Sequence, residues 1–334
     1  MERVGRVMGR WPAVETARPE EREAAFRLIF QDAEDRETRV ANALHLVELG
    51  ELKEASILVV RGHQELSGAM VCLPVPGASA LVWPPRVVRG LAQAQIEDSL
   101  VRHASAWLRQ HGARLAQALL LKDEVHRAPP LERNGFRHIT CLWYMRRELV
   151  GLGFVSKGDP TGAKRKQAPP PAGTASDEDG RIHYQTYAPG IAGFFHQTLL
   201  QTYEGTLDCP EVTGVRSISE IIKGHQAPDG PEMDHWWLAQ EGQRPVGVLL
   251  MTETAGSETW DVAYVGVVPE ARGRSVGRQL MFKAISEARA ANMSQLALSV
   301  DARNLPAIRL YRSLGFQLYD QRDVYLAIWA TMDG

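Results

Sequence analysis

Three arginines, Arg272, Arg274 and Arg278, alternate with Gly273 and Gly277 in PEARGRSVGRQ, residues 269–279. An apolar run, 262–268, precedes this stretch, and a segment patterned as an amphipathic helix follows it. A helix that starts directly after a strand presents unpaired backbone N–H groups and the positive end of its dipole, which together bind phosphate. Glycine lets an anion come close to the backbone, and guanidinium groups pair with phosphate oxygens in a fork. The stretch therefore reads as a pyrophosphate cradle spanning Arg272, Gly273, Arg274, Ser275, Val276, Gly277 and Arg278. Neither GxGxxG nor GxxxxGK[ST] is present, so the dinucleotide and P-loop turns that use the same physics are excluded.

The elements needed to hold such a cradle can be read around it. Residues 235–240 and 246–253 predict two strands joined by a polar, glycine-containing turn, and 260–268 predicts a third strand. Residues 276–291 place Val276, Leu280, Ala284 and Ala288 on one helical face. A strand over 295–300, a short helix over 306–314 with Pro306 in its first turn, and a last strand over 324–329 complete the order. A helix is also predicted over 191–202. The alternation implies an α/β domain, an α+β arrangement with a mixed sheet.

Downstream of the cradle the chain reads Asn304-Leu-Pro-Ala307-Ile-Arg-Leu310-Tyr311-Arg-Ser-Leu-Gly315-Phe316. The two stretches, in this order and at this separation, resemble the paired motifs of the GNAT acetyltransferase superfamily, (Arg/Gln)-x-x-Gly-x-(Gly/Ala) followed by N-x-x-A-x-x-L-Y-x-x-x-G-F. Ser275 stands where the family usually has glycine; serine is a favoured N-cap residue, so the turn is expected to persist in a changed local conformation.

The resemblance implies acetyl-CoA as co-substrate, no metal, and an amine acceptor. It implies that the backbone of Val265, Gly266 and Val267 bonds the pantetheine arm and the acetyl carbonyl, that Asn304 binds the same arm, and that Tyr311 protonates the leaving thiolate. A phenol of pKa ~10 is a suitable donor to a thiolate of pKa ~8.5. Asn304 also fits a helix cap, and Tyr311 a buried aromatic. An amine of pKa ~10 arrives protonated and must lose a proton before attack. Some relatives carry a glutamate five residues before the asparagine; this chain has Ser299 there. Glu253, Asp261 and His235 are alternatives, and Glu204 and Asp208, in the acidic loop TYEGTLDCPE after the 191–202 helix, are the preferred contacts to the amine. Cys209 has no evident paired base and is read as an inert thiol.

The chain repeats itself. A shift of 180 residues lays Asn134-Gly135-Phe136 on Leu314-Gly315-Phe316, and 99–110 on 279–290. It also lays Glu124 on Asn304, Leu131 on Tyr311, and the cradle on AQAQIE, 92–97, which lacks both glycine and arginine. The reading is therefore two tandem GNAT-like domains: a degenerate one at 1–155, a flexible linker at 156–181 rich in Pro, Gly and charge, and a catalytic one at 182–334. The architecture is similar to that of tandem, mycothiol synthase-like members of the superfamily, with the first half helping to form the acceptor cleft.

Composition limits the alternatives. A net charge of −2 provides no global field for nucleic acid, so no nucleic-acid partner is expected. Three scattered cysteines form no CxxC or Cys/His spacing, which fits a reducing cytoplasm. The first residues lack an export-type apolar core, and no stretch approaches the ~20 apolar residues of a membrane span. The oligomeric state is not legible. Two readings stand beside amine acetylation of a small molecule: a non-catalytic acyl-CoA sensor, and acetylation of peptide or protein amines.

Overall fold

The computed structural model describes residues 12–90, 92–149, 182–226, 233–253 and 257–329. The expected linker, 156–181, lies outside them. The first half runs β1 (Glu15–Thr16), α1 (Arg22–Ile29), α2 (Arg36–Glu48), β2 (Ile57–Arg61), β3 (Leu66–Val75), β4 (Ser79–Val87), α3 (Gln93–Gln110), β5 (Leu115–Leu120), α4 (Pro129–Arg133) and β6 (Arg137–Glu148). The second runs β7 (Ile182–Thr186), α5 (Ala192–Thr202), α6 (Ile218–His225), β8 (Trp236–Glu241), β9 (Arg244–Glu253), β10 (Thr259–Val267), α7 (Val276–Ala290), β11 (Gln295–Asp301), α8 (Leu305–Ser313) and β12 (Gln317–Ile328). The order of elements repeats, and β4/β10, β5/β11 and β6/β12 begin 180 residues apart.

Each half is layered by the same pattern. Alternate residues of a strand point to opposite faces. On β9, Leu249 and Met251 join Leu280, Ala284 and Ala288 of α7, while Val248 and Leu250 join Phe195 and Leu199 of α5. The apolar stripe expected on α7 is buried along its whole length. In the first half Leu58, Met70 and Cys72 face α3, and Val59, Ala69 and Val71 face α1.

The halves close by exchanging strands. Among the described residues one twelve-stranded sheet runs β1-β2-β3-β4-β5-β12-β6-β11-β10-β9-β8-β7. The final strand of the chain, β12, pairs with β5 of the first half, and β6 of the first half pairs with β11 of the second. The two exchanged strands pair with each other at the centre. This explains why β12 starts at Gln317, well before the expected 324: QLYDQRD has little apolar pattern of its own, and its partner, β6, lies far away in sequence.

Candidate active site

The parallel ladder between β10 and β11 runs from Thr259↔Gln295 to Val262↔Leu298 and stops, although β10 continues to Val267 and β11 to Asp301. At the same point β10 carries an irregularity between Val262 and Tyr264 in its pairing with β9, so Ala263 is a bulge. The strands splay, and a cavity of about 590 Å³ opens in the gap. Val265, Gly266 and Val267 line it, as do Ser299, Asn304 and Tyr311. Gly266 is required by proximity: a Cβ there would come within 2.6 Å of Thr202 on α5.

The cradle forms the end of this cavity. Gly273 and Ser275 both adopt left-handed backbone, at φ 76° and 65°, and α7 starts at Val276. Serine thus keeps the conformation that glycine would favour, and its side chain makes no capping bond. The orphan N–H groups of the first turn of α7 belong to residues that line the cavity, Val276, Gly277 and Arg278. A Cβ at Gly277 would meet Leu310 and Val267 only at ordinary van der Waals distance, 3.6 and 3.7 Å, so the packing of α7 against α8 and β10 does not itself demand glycine there.

The arginines divide their tasks in a way the spacing did not reveal. Arg272 donates to the carbonyls of Val267, Thr202, Gly205 and Glu204, at 3.2, 3.0, 3.3 and 2.6 Å. Its guanidinium ties the end of α5 to the end of β10, and the residue also lines the cavity. Arg274 forks onto Glu241 at 2.7 and 2.8 Å and does not line the cavity. Arg278 remains at the cavity, with Ser313 at 3.0 Å.

The acidic loop divides as well. Glu204 is exposed and lies outside the cavity lining, contributing only its carbonyl to Arg272. Asp208 lines the cavity, and its Oδ1 accepts the backbone N–H of Asp301 at 3.1 Å. Burial pushes its carboxyl up to about 6, against the lowering effect of that N–H and of the Asn304 amide. Tyr311 is buried, and burial, then the nearby Asp208 charge, raise its pKa, keeping the phenol protonated. Asn304 is a helix cap, its Oδ1 accepting from Ala307 N at 3.3 Å to open α8, and the residue also lines the cavity. Of the other candidates, His235 bonds Glu253 at 3.0 Å and Asp261 sits opposite Ala297, before the splay; none of the three lines the cavity.

Sequence reading missed Asp301, which is fully buried at the end of β11. Its carboxylate accepts from Thr140, Cys209 and Arg303, and Arg303 also forks onto Glu211 at 2.7 and 2.9 Å. Asp208, Cys209 and Asp301 bring one possible metal-ligand atom each within 4.8 Å of one another. The guanidinium of Arg303 already neutralises Asp301, so the group is a hydrogen-bonded junction in this structure.

The first half repeats the splay and keeps a cavity of about 470 Å³ there, but lines it with charged side chains, among them Arg86, Glu124 and Arg127. Its β4–β5 ladder ends at Leu81↔Gln117 while β4 continues to Val87. Pro84 and Pro85 stand where the second half has Tyr264 and Val265, which removes two backbone donors, and Arg86 stands at the place of Gly266. The buried Arg127 guanidinium donates to the Pro84 carbonyl at 3.0 Å. Leu131, at the place of Tyr311, is buried. The expected match of the cradle to 92–97 needs correction: α3 begins at Gln93, so these residues form its first turns, and Arg89 and Gly90 precede it. The helix starts three residues earlier than the shift predicts, leaving a shorter approach. The doublet Pro84-Pro85 was the available signal for the lost site.

The acetyltransferase (GNAT) family profile matches residues 201–316. The chain is 44% identical to a mycothiol acetyltransferase of Acidothermus cellulolyticus over 257 residues, 72% of this chain and 68% of that protein. A parallel strand pair that splays onto a left-handed turn and helix is accompanied here by that sequence match, and the chain belongs to the GNAT acetyltransferase family, with the fold present in two tandem copies. It is 27% identical to a mycothiol acetyltransferase of Thermobispora bispora over 310 residues, 89% of this chain and 93% of that one. Against mycothiol acetyltransferases of Actinosynnema mirum and Thermobifida fusca, at 27% and 38% identity, the match spans 59% and 57% of this chain and 58% of each relative's length. A solved GCN5-related N-acetyltransferase from Sphaerobacter thermophilus has the same fold, with a TM-score of 0.57 at 21% identity over 95% of both chains.

Proposed function

We propose that the second half transfers an acetyl group from acetyl-CoA to a primary amine by direct attack. The observation that carries this reading is that Tyr311 and Asp208 line the same splay-built cavity that ends at the α7 cradle. The diphosphate would lie on the N–H groups of the turn and first residues of α7, and the thioester arm along Val265–Val267. Asp208, with a pKa of about 6, is ionised at neutral pH and suited to accept the proton of the incoming ammonium. The amine nitrogen then attacks the carbonyl carbon, and the oxyanion is held by the β10 backbone donors that face the gap beyond the end of the β11 ladder. The C–S bond breaks, the Tyr311 hydroxyl gives its proton to the thiolate, and the second proton lost by the acetylated nitrogen restores the phenol as the neutral amide forms. No covalent enzyme intermediate is needed.

The names of the relatives support a small-molecule acceptor, so a mycothiol-related amine heads the panel of amines, ahead of peptide amines. The test is release of free thiol from acetyl-CoA in the presence of that panel. Tyr311→Phe should lower kcat about 100-fold, a usual contribution of a general acid, with little change in acetyl-CoA KM. Tight acetyl-CoA binding without thiol release from any amine would favour the sensor reading instead.

A further inference from the structure

The buried Asp301 carboxylate ties three separate parts of the molecule together beside the cavity. Oδ1 accepts from Thr140 Oγ1 at 2.6 Å and from the backbone N of Arg303 at 2.8 Å; Oδ2 accepts from Cys209 N at 3.0 Å and Arg303 Nη2 at 2.7 Å. Its own N–H donates to Asp208, and its carbonyl accepts from Asn304 N at 2.9 Å. Thr140 belongs to β6, the strand contributed by the first half, while Cys209 and Asp208 belong to the loop after α5 and Asn304 opens α8.

The loop it grips is under strain. Cys209 has φ 41° and ψ 58°, a left-handed conformation uncommon for a residue with a side chain and disfavoured further by the proline that follows. Such a conformation persists only where surrounding contacts over-determine it. Here the contact is made to the N–H of Cys209 itself, and the Arg303–Glu211 fork fixes the chain two residues on. Burial would raise the pKa of Asp301, but the Arg303 guanidinium and the Thr140 hydroxyl outweigh it and hold the carboxyl at about 2. The device belongs to the second half: Leu121 stands at the equivalent place in the first.

We infer that Asp301 is a positioning residue for acetyl transfer, holding the loop after α5 so that Asp208 faces the acceptor side of the cavity, and linking that placement to β6 through Thr140. The inference rests on the acetyl-transfer reading for its kinetic consequence, but not for its structural one.

The experiment uses the full chain and two variants. Asp301→Asn keeps the shape and removes the charge; Thr140→Val removes only the hydroxyl. In Asp301→Asn, hydrogen exchange of peptides covering 204–212 should quicken about tenfold, the effect of one lost charged hydrogen bond, with β9 and α7 unchanged. The amine KM should rise about tenfold while acetyl-CoA KM stays within about twofold, and adding Asp208→Asn should raise the amine KM little further because the two residues position the amine as a unit, the loss of the proton acceptor showing in kcat instead. Thr140→Val should show the same pattern more weakly, and it answers the question if Asp301→Asn does not fold. Unchanged exchange at 204–212 would overturn the inference, as would equal rises in both KM values. If the unaltered chain transfers acetyl to no amine, the acetyl-transfer reading fails, and the exchange measurement still decides whether Asp301 holds the loop.

Discussion

Gly266 on β10 and Thr202 at the end of α5 approach so closely that a Cβ added to the glycine would fall 2.6 Å from both Cβ and Oγ1 of the threonine. Thr202 is itself fixed by Tyr264, whose hydroxyl lies 2.8 Å from its Oγ1. Gly266→Ala should therefore push α5 away from β10 and cost about 1–3 kcal/mol, the range for overpacking a close contact. Acetyl-CoA affinity should fall with it. Thr202→Gly in the same chain should recover part of both losses. Thermal unfolding and calorimetry of the two variants check this, and an unaltered stability in Gly266→Ala would refute the contact.

The two bonded aspartates, Asp208 and Asp301, should act on stability in opposite directions. Asp208 has a folded-state pKa raised to about 6, so its contribution is favourable below the unfolded carboxylate value and is lost as pH rises through about 6. Asp301 is held at about 2, so it stabilises above the unfolded value and that stability is lost as pH falls toward about 2. At neutral pH, Asp208→Asn should raise the unfolding temperature and Asp301→Asn should lower it.

Activity should follow ionisation of Asp208. Kcat/KM for the amine should decline as pH drops through about 6, and Asp208→Asn should flatten that limb while reducing the plateau. A limb that persists unchanged in the variant would assign the proton acceptor elsewhere.

Ser275 carries the left-handed backbone of the cradle at φ 65° without a capping bond in return. Left-handed backbone costs a residue with a Cβ about 1–2 kcal/mol, offset in glycine by its greater unfolded-state freedom. Ser275→Gly should stabilise the chain by about 0.5–1 kcal/mol, readable as a higher unfolding temperature, and should not weaken acetyl-CoA binding.

The first half should bind no acetyl-CoA. Pro84 and Pro85 supply no N–H where the arm would lie, and the Arg127 guanidinium, bonded to the Pro84 carbonyl, lines the cavity there. Calorimetry with acetyl-CoA should return a single site per chain. Two equivalent sites would show that the arginine moves aside.

The repeat, the element order and the cradle were legible because each depends on local pattern: a 3.6-residue stripe on α7, apolar strands, and a glycine-bearing turn between them. Asp208 was legible as an acidic residue in the right loop, and Glu204 was named for the same reason; only the fold turns one inward and leaves the other exposed. The charge of Arg272 beside the turn was legible because charge density shows in sequence, whereas the four carbonyls it satisfies do not. Asp301 and Thr140 were invisible together, since 161 residues separate them and they meet only where strands cross between halves. The early part of β12 was hidden by the same crossing.

That crossing also orders events at the ribosome. Strand β5 has β12 as its outer neighbour, and β12 is the last element of the described chain to be made. The first half can assemble its helices and five strands, β1 to β5, as it emerges, yet β5 keeps an open edge until nearly the whole chain has been synthesised. Pairing so distant in sequence is slow to form and exposes strand edges meanwhile. Neither half made alone has its full set of strand neighbours, so gene fragments ending near residue 155 should yield poorly soluble chains, and supplying both fragments together should be needed for recovery.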